Sequence, residues 1–398
     1  MRILLISRFN VSNIGDLTIS NKLLEVIKEY GEVTKYNLFG APYKFTDINN
    51  VDTSNFTFKY KIINTFNHLG LKKVISLYSK AKKYLINRKN NFSKDFSELV
   101  NQHDLLIIGG GNMLMSITNS IEGIKNFNNY VSIAKKNKKP VFIVDIGIGP
   151  FKELNHQEYA IKTLNKCDRI TFRDHESYSL FINNGGNKDK AFVSVDPAFL
   201  YTYPKTTKKN TTSRIIGINI LDTHFLGKSS QEYKKSILTY ENLVRKVLST
   251  NDKVILFVSS KEDEKAMLEV YKKFRNNPNV KVYDVTGLSD IRKLYNKIDL
   301  LIGTRMHSMI IAYTMYVPLV ALSWQTKIDS MFTMIEEQEN LFKLDNLERD
   351  LNKIKSTYLY QLDNLQLYER KRRKVLEKIK RKSRINNKIL LEFKNNIG

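Results

Sequence analysis

The chain is poor in cysteine. Cys167 is the single one in 398 residues. No disulfide can close within the chain and no cysteine-based zinc site can form, so a reducing compartment is the simplest fit. Long apolar runs are missing as well. No segment approaches the roughly 20 residues needed to span a bilayer as a helix. The opening stretch has an apolar run only from Ile3 to Ile6 and then a polar loop, which is not the pattern of a signal peptide. The expectation is a soluble or peripheral protein. Acids are scarce: 40 Asp and Glu stand against 65 Lys and Arg, for a formal charge of +25. That surplus points to an anionic partner, whether nucleic acid, a membrane leaflet or a polymer, unless it reflects only a Lys- and Asn-rich coding bias.

What the chain does have is a core. Hydrophobic residues make up 42% of it, enough for two domains of ordinary size. Short apolar runs alternate with stretches of helical spacing. Arg2–Ser7 reads as a buried strand, Asn10–Asp16 as a loop, and Leu17–Tyr30 as a helix with Ile19, Leu23, Leu24 and Ile27 on one face. The loop lacks the G-x-G-x-x-G spacing of a dinucleotide fingerprint. Gly15 allows close backbone approach there, and Asp16 is a candidate cap for the helix. Further strands are expected at 104–108, 140–144, 169–172 and 192–195. Each runs into glycine or charge: Gly109-Gly110-Gly111, Gly147-Ile148-Gly149-Pro150, Arg173-Asp174, Asp196-Pro197. Glycines at such a strand end let backbone N–H groups approach a ligand. Polar Tyr201–Ser213 reads as a linker, after which strand and helix patterns resume from Arg214. The fold class expected is α/β, with two Rossmann-like domains at 1–203 and 214–344 facing across a cleft, and a basic helical tail at 345–398.

The stretch from Asp299 to Lys327 carries the sharpest signal. Leu300-Leu301-Ile302 reads as a buried strand, Ser308–Tyr316 as a helix and Val317–Leu322 as the next strand. Arg305 and His307 therefore fall between a strand end and a helix start. Ligands of open α/β sheets bind at that edge, and a helix N-terminus favours a phosphate or carboxylate.

Two segments are basic and interleaved with apolar residues. Lys59–Lys94 contains no acid. Arg370–Phe393 holds the run Arg370-Lys371-Arg372-Arg373-Lys374 and continues through Arg384. Each could lie on an anionic membrane surface or be an ordinary solvated face. No recognised RNA module accompanies them, so nucleic acid ranks behind a membrane.

Taken together, these motifs resemble the polysaccharide pyruvyl transferase family, whose members have a two-domain fold like that of GT-B glycosyltransferases. The resemblance rests on Asn13-Ile14-Gly15-Asp16, the Gly109-Gly110-Gly111 turn, Gly147-Ile148-Gly149-Pro150, Arg173-Asp174 with Ser177, and Asp196-Pro197-Ala198. Above all it rests on Gly303-Thr304-Arg305-Met306-His307-Ser308, with Lys327 after the last strand. It covers roughly residues 1 to 335. Leu17-Thr18-Ile19 and Trp324-Gln325-Thr326 depart from the family's common residues, which bears on the acceptor. The resemblance implies transfer of the pyruvyl group of phosphoenolpyruvate to two hydroxyls of a sugar in a cell-surface polysaccharide or its lipid-linked precursor. The product is a cyclic ketal and the by-product phosphate. It implies neither metal nor organic cofactor. Arg305 and Arg173 would hold the donor's two anionic groups. Asn13, Gly15, Gly110, Gly111, Ser308 and Lys327 would complete the binding site. His307 would move the proton, and Asp16 would orient or deprotonate a sugar hydroxyl. Asp174 and Asp196 read as structural. The expected location is the cytoplasm, peripheral at the inner face of the membrane. Two rivals share the data: a GT-B glycosyltransferase using a nucleotide sugar, and a non-catalytic basic protein binding membrane or nucleic acid.

Overall fold

The computed structural model describes residues 1–9, 13–38, 92–116, 119–201 and 213–397. Most of the basic segment 59–94 and most of the linker 201–213 lie outside these residues.

Six parallel strands form the N-terminal sheet: β1 (Arg2–Ser7), β2 (Glu32–Asn37), β3 (Leu105–Ser116), β4 (Val141–Phe151), β5 (Arg169–Phe172) and β6 (Ala191–Val193). Their order is β2-β1-β3-β4-β5-β6. Helices α1 (Ile14–Ile27), α2 (92–101), α3 (Glu122–Lys136), α4 (Leu154–Asn165) and α5 (His175–Asn183) connect them. A second parallel sheet holds β7 (Ile215–Asn219), β8 (Lys253–Phe257), β9 (Val280–Val282), β10 (Leu300–Gly303), β11 (Leu319–Ser323) and β12 (Leu341–Lys343), in the order β12-β11-β10-β7-β8-β9. Its helices are α6 (Ser230–Leu248), α7 (Glu264–Lys272), α8 (Leu288–Tyr295), α9 (Met306–Thr314) and α10 (Thr326–Met334). Both sheets reverse direction of winding once, between β1 and β3 and between β7 and β10. Such switch points open a crevice at the carboxyl ends of the strands. The two-domain α/β reading holds.

Two expectations need correction. The glycine motifs do not end their strands: β3 runs on through Gly109-Gly110-Gly111 to Ser116, and β4 through Gly147 and Gly149 to Phe151, with the two paired along most of this length. Left-handed backbone at Gly110 (φ 85°) and Gly111 (φ 78°), and register shifts beyond Asn112, bend the ladder rather than close it. Steric need is local. A Cβ at Gly109 would lie 2.1 Å from Val144 Cγ1, and one at Gly110 2.3 Å from Ile19 Cγ2. Second, Asp16 does not cap α1. Asn13 does, accepting from the N–H groups of Gly15 (2.8 Å) and Asp16 (3.4 Å), so Gly15 and Asp16 already sit in the first helical turn.

The chain's last segment is part of the body. Helix α11 (Leu347–Asp363) packs on the second sheet, with Gln361 bonded to the backbone of Leu319 and Tyr358 to Thr250. Helix α12 (Leu365–Ile397) then crosses to the first domain. Near its start, buried Arg372 clamps Glu337 with two bonds of 2.6 and 2.8 Å and donates to Val317 O. Near its end, Asn386 donates to both carboxylate oxygens of Asp145, and Phe393 packs against Phe142. Burial pushes the Asp145 carboxyl up to about 7, against the pull of Asn386, Ser194 and Thr171. Its apolar residues Val375, Leu376, Ile379, Ile389 and Leu390 join a core cluster that also contains Ile3 and Phe257, one from each sheet.

Arg372→Ala should lower unfolding stability by about 3–5 kcal/mol in a urea titration, because Glu337 is left charged and buried without its partner. A loss under about 1 kcal/mol would mean that α12 is not anchored by this pair.

Candidate active site

The carboxyl ends of both sheets meet at one seam. From the first domain come Arg8, directly after β1; Asp16, in the first turn of α1; Asn112, in β3; and Arg173 and Asp196, after β5 and β6. From the second come Asp263, before α7, Arg305 and His307 at the start of α9, and Lys327 at the start of α10.

His307 is the joint. A Cβ at Gly15 would lie 2.2 Å from His307 Nδ1 and 2.6 Å from its Cβ, so the imidazole occupies the space a side chain at position 15 would need. Its Nε2 lies 3.4 Å from Asp196 Oδ2, a contact longer than an aligned hydrogen bond. The same Asp196 oxygen takes a 3.0 Å bond from Arg173 Nη1, and the other carboxylate oxygen accepts from Ala198 N. Burial pushes the Asp196 carboxyl up, but His307 and Arg173 outweigh it and hold the group at about 2. Asp196 is thus both the structural turn residue expected and the acid that joins Arg173 to His307 across the domains.

Each arginine has its own acid. Arg305 donates from Nε (2.8 Å) and Nη2 (2.7 Å) to the two oxygens of Asp263, which is fully buried. Burial raises the Asp263 carboxyl and the Arg305 bonds pull it back down. Arg173 also lies 3.5 Å from Asp174, the residue that caps α5. Arg8 donates to Asp16 (3.0 Å) and to Asn112 O (3.1 Å). Gly147 lets these groups close in: a Cβ there would lie 2.6 Å from Asn112 Oδ1 and 2.9 Å from Arg173 Nε.

Lys327 differs from them. Among the described residues it makes no direct ion pair or hydrogen bond. Burial pushes its amine down to about 8. Arg173 and Arg305 push the same way, and Asp16 and Asp196 pull against them. The order of these influences places the lysine amid the seam's charged groups.

Of the residues singled out from sequence, the structure brings Gly15, Asp16, Arg173, Arg305, His307 and Lys327 together. Gly111 belongs with them, since a Cβ there would lie 3.3 Å from Asp16 Oδ1. Three others are taken up by the scaffold. Asn13 is the helix cap. Gly110 packs on Ile19. Ser308 is buried, with its hydroxyl 2.5 Å from Tyr295 Oη. Sequence reasoning passed over Arg8, Asn112 and Asp263. Arg8 carried the signal that revealed Arg305, a cation at the end of a buried strand. Asp263 carried none, lying 42 residues before Arg305 in the chain.

Two winding parallel domains with charged groups gathered at the switch points define a GT-B-like enzyme architecture. Solved structures agree. A glycosyltransferase from Rickettsia africae is similar over 98% of this chain and 98% of its own, at 14% identity and a TM-score of 0.57. The UDP-bound HepE protein of Anabaena is similar over 98% and 100%, at 11% identity and a TM-score of 0.57. UDP-GlcNAc 2-epimerase from Neisseria meningitidis, bound to UDP-GlcNAc, is similar over 98% and 100%, at 11% identity and a TM-score of 0.55. At these identities the likeness concerns the fold. Residues 13–326 match the family described as polysaccharide pyruvyl transferase, and the chain belongs to that family of transferases.

Competitive acetylation should put the half-reactivity point of Lys327 near pH 8, well below that of the surface lysines. The sign follows from the depressed value: the folded protein releases this proton near pH 8 and the unfolded chain near 10.5, so the lysine's contribution to stability improves as pH rises from 8 to 10.5. A midpoint near 10.5 would show that the lysine is solvated and outside the seam.

Proposed function

We propose that the seam binds phosphoenolpyruvate and transfers its pyruvyl group to two hydroxyls of a sugar in a cell-surface polysaccharide or its lipid-linked precursor. Lys327 carries this reading. A half-buried amine pushed down to about 8, with two guanidinium groups near it, is relieved by an incoming anion. Phosphoenolpyruvate brings two, a phosphate and a carboxylate. The forks of Arg305 and Arg173 are partly engaged by Asp263 and Asp196. They therefore act as oriented positive charge, and Lys327 supplies the direct donor. One charge-assisted bond of this kind contributes about 1.5–3 kcal/mol.

The chemistry then needs one proton delivered and two hydroxyl protons removed. His307 gives a proton to the methylene carbon, which becomes the methyl group. The adjacent carbon takes up positive character and is attacked by the first sugar hydroxyl. Its bond to the bridging oxygen breaks, phosphate leaves, and the second hydroxyl closes the ketal. One hydroxyl proton restores His307 and the other departs with phosphate. Asp196 holds the imidazole in place and balances its charge. Asp16, fixed by Arg8, accepts a hydrogen bond from the attacking hydroxyl.

Calorimetry should detect binding of phosphoenolpyruvate, with proton uptake near pH 8 and weakening affinity above it as Lys327 loses its proton. Lys327→Ala should weaken binding on the order of 10- to 100-fold. His307→Gln should keep binding while phosphate release with a cell-surface glycan extract falls by about 10²–10⁴. A nucleotide sugar bound in place of phosphoenolpyruvate would overturn this reading.

A further inference from the structure

Four cations of helix α12 have partners: Arg372 with Glu337, Lys371 with Glu339, Lys378 with Glu336, and Arg373 with Glu369 on the helix itself. Opposite the buried face runs a second set. Positions 370, 374, 377, 381, 384, 388 and 391 follow a 4-3-4-3-4-3 spacing, which keeps them on one side of a helix. They are Arg370, Lys374, Glu377, Arg381, Arg384, Lys388 and Leu391, and all are exposed. None of the five cations in this row makes an ion pair or side-chain hydrogen bond among the described residues. The row is about 32 Å long at 1.5 Å per residue.

Uncompensated cations on one side of a helix repel one another unless an external anion lies along them. A row this long on one exposed side of a helix suits an extended anionic surface. Apolar residues accompany the charge. Leu391 ends the row at 49% exposure. Leu367 stands exposed three residues before the row begins. Cations with an exposed leucine in the same row suit a helix lying on a lipid surface, where the heads meet phosphate and the apolar group enters the acyl boundary. Nucleic acid would use the charge but leave the leucines in water.

We propose that the outer face of α12 is a docking surface for an anionic membrane, with Arg370, Lys374, Arg381, Arg384 and Lys388 on the lipid phosphates and Leu391 inserted beside them. Among the described residues, no helix is long and apolar enough to cross a membrane, so α12 lies on the surface. The inference rests on the helix alone and does not depend on the reaction.

The test is sedimentation of the full chain with phosphatidylcholine vesicles, with and without phosphatidylglycerol. Binding should require phosphatidylglycerol and weaken as salt is raised. The variant Arg381→Gln, Arg384→Gln, Lys388→Gln should lose affinity on the order of a hundredfold, at about 1 kcal/mol per charge. These side chains are exposed, so its melting temperature should stay that of the parent. Glu377→Gln, which removes the only acid of the row, should tighten binding severalfold, an effect unfolding cannot mimic. The proposal is overturned if the parent ignores phosphatidylglycerol, if the triple variant binds like the parent, or if Glu377→Gln weakens binding. Capture by short double-stranded DNA without capture by vesicles would assign the surface to nucleic acid instead.

Discussion

The imidazole of His307 lies in the place that a side chain at position 15 would fill, and much else depends on that contact. It lets the first turn of α1 and the first turn of α9 approach each other across the domain boundary. Two helix N-termini then face one seam, and their partial positive charges add to those of Arg8, Arg173, Arg305 and Lys327. Concentrated positive charge at a buried seam is costly unless acids are supplied. Asp16, Asp196 and Asp263 supply them. Asp196 reaches from the first domain to His307 of the second, and Asp263 holds Arg305 from within its own domain. Each acid offsets part of that charge through an ion pair with a cation of the seam, so the acids belong to the site as much as the cations do.

The same logic explains the unequal standing of the four cations. An arginine fork locked on a carboxylate keeps its charge and its orientation, and contributes a fixed field. A half-buried lysine with no such partner has lost part of its hydration and received no direct ion pair in return. It is the group whose state changes most when an anion arrives. The seam is thus a rigid frame of arginine–aspartate pairs around one responsive amine, an arrangement suited to binding an anion and releasing it again.

Much of the fold could be read in advance, because apolar runs of four to six residues between helical patterns leave few alternatives to a doubly wound sheet. Arg305 and His307 were legible for a related reason: polar residues between two strands too apolar to face water must lie at a strand end. What could not be read depends on distant partners. Asp263 lies 42 residues before Arg305, and nothing near it in sequence marks it. Asp196 looked like a turn residue because one of its oxygens does that work, while the other acts across the domains. The glycines of β3 and β4 looked like strand ends because glycine is a turn signal. In the folded chain they are instead the positions where Val144, Ile19, Arg173 and Asn112 need the space.

Helix α12 shows the limit of composition most clearly. A run of cations with interleaved apolar residues reads equally as a membrane anchor or as a helix packed on its own domain. The structure resolves the ambiguity by dividing the helix lengthwise. Its buried apolar residues, together with Arg372 and Asn386, are spent on the two domains, so the helix ties them together and cannot leave without uncovering Glu337 and Asp145. The outer row of charge, with Leu391 at its end, stays exposed. A surface attached in this way is rigid with respect to the seam. An anionic surface docked on α12 as proposed would therefore fix the direction in which the seam opens, and would join the orientation of the enzyme to the packing that holds its domains together.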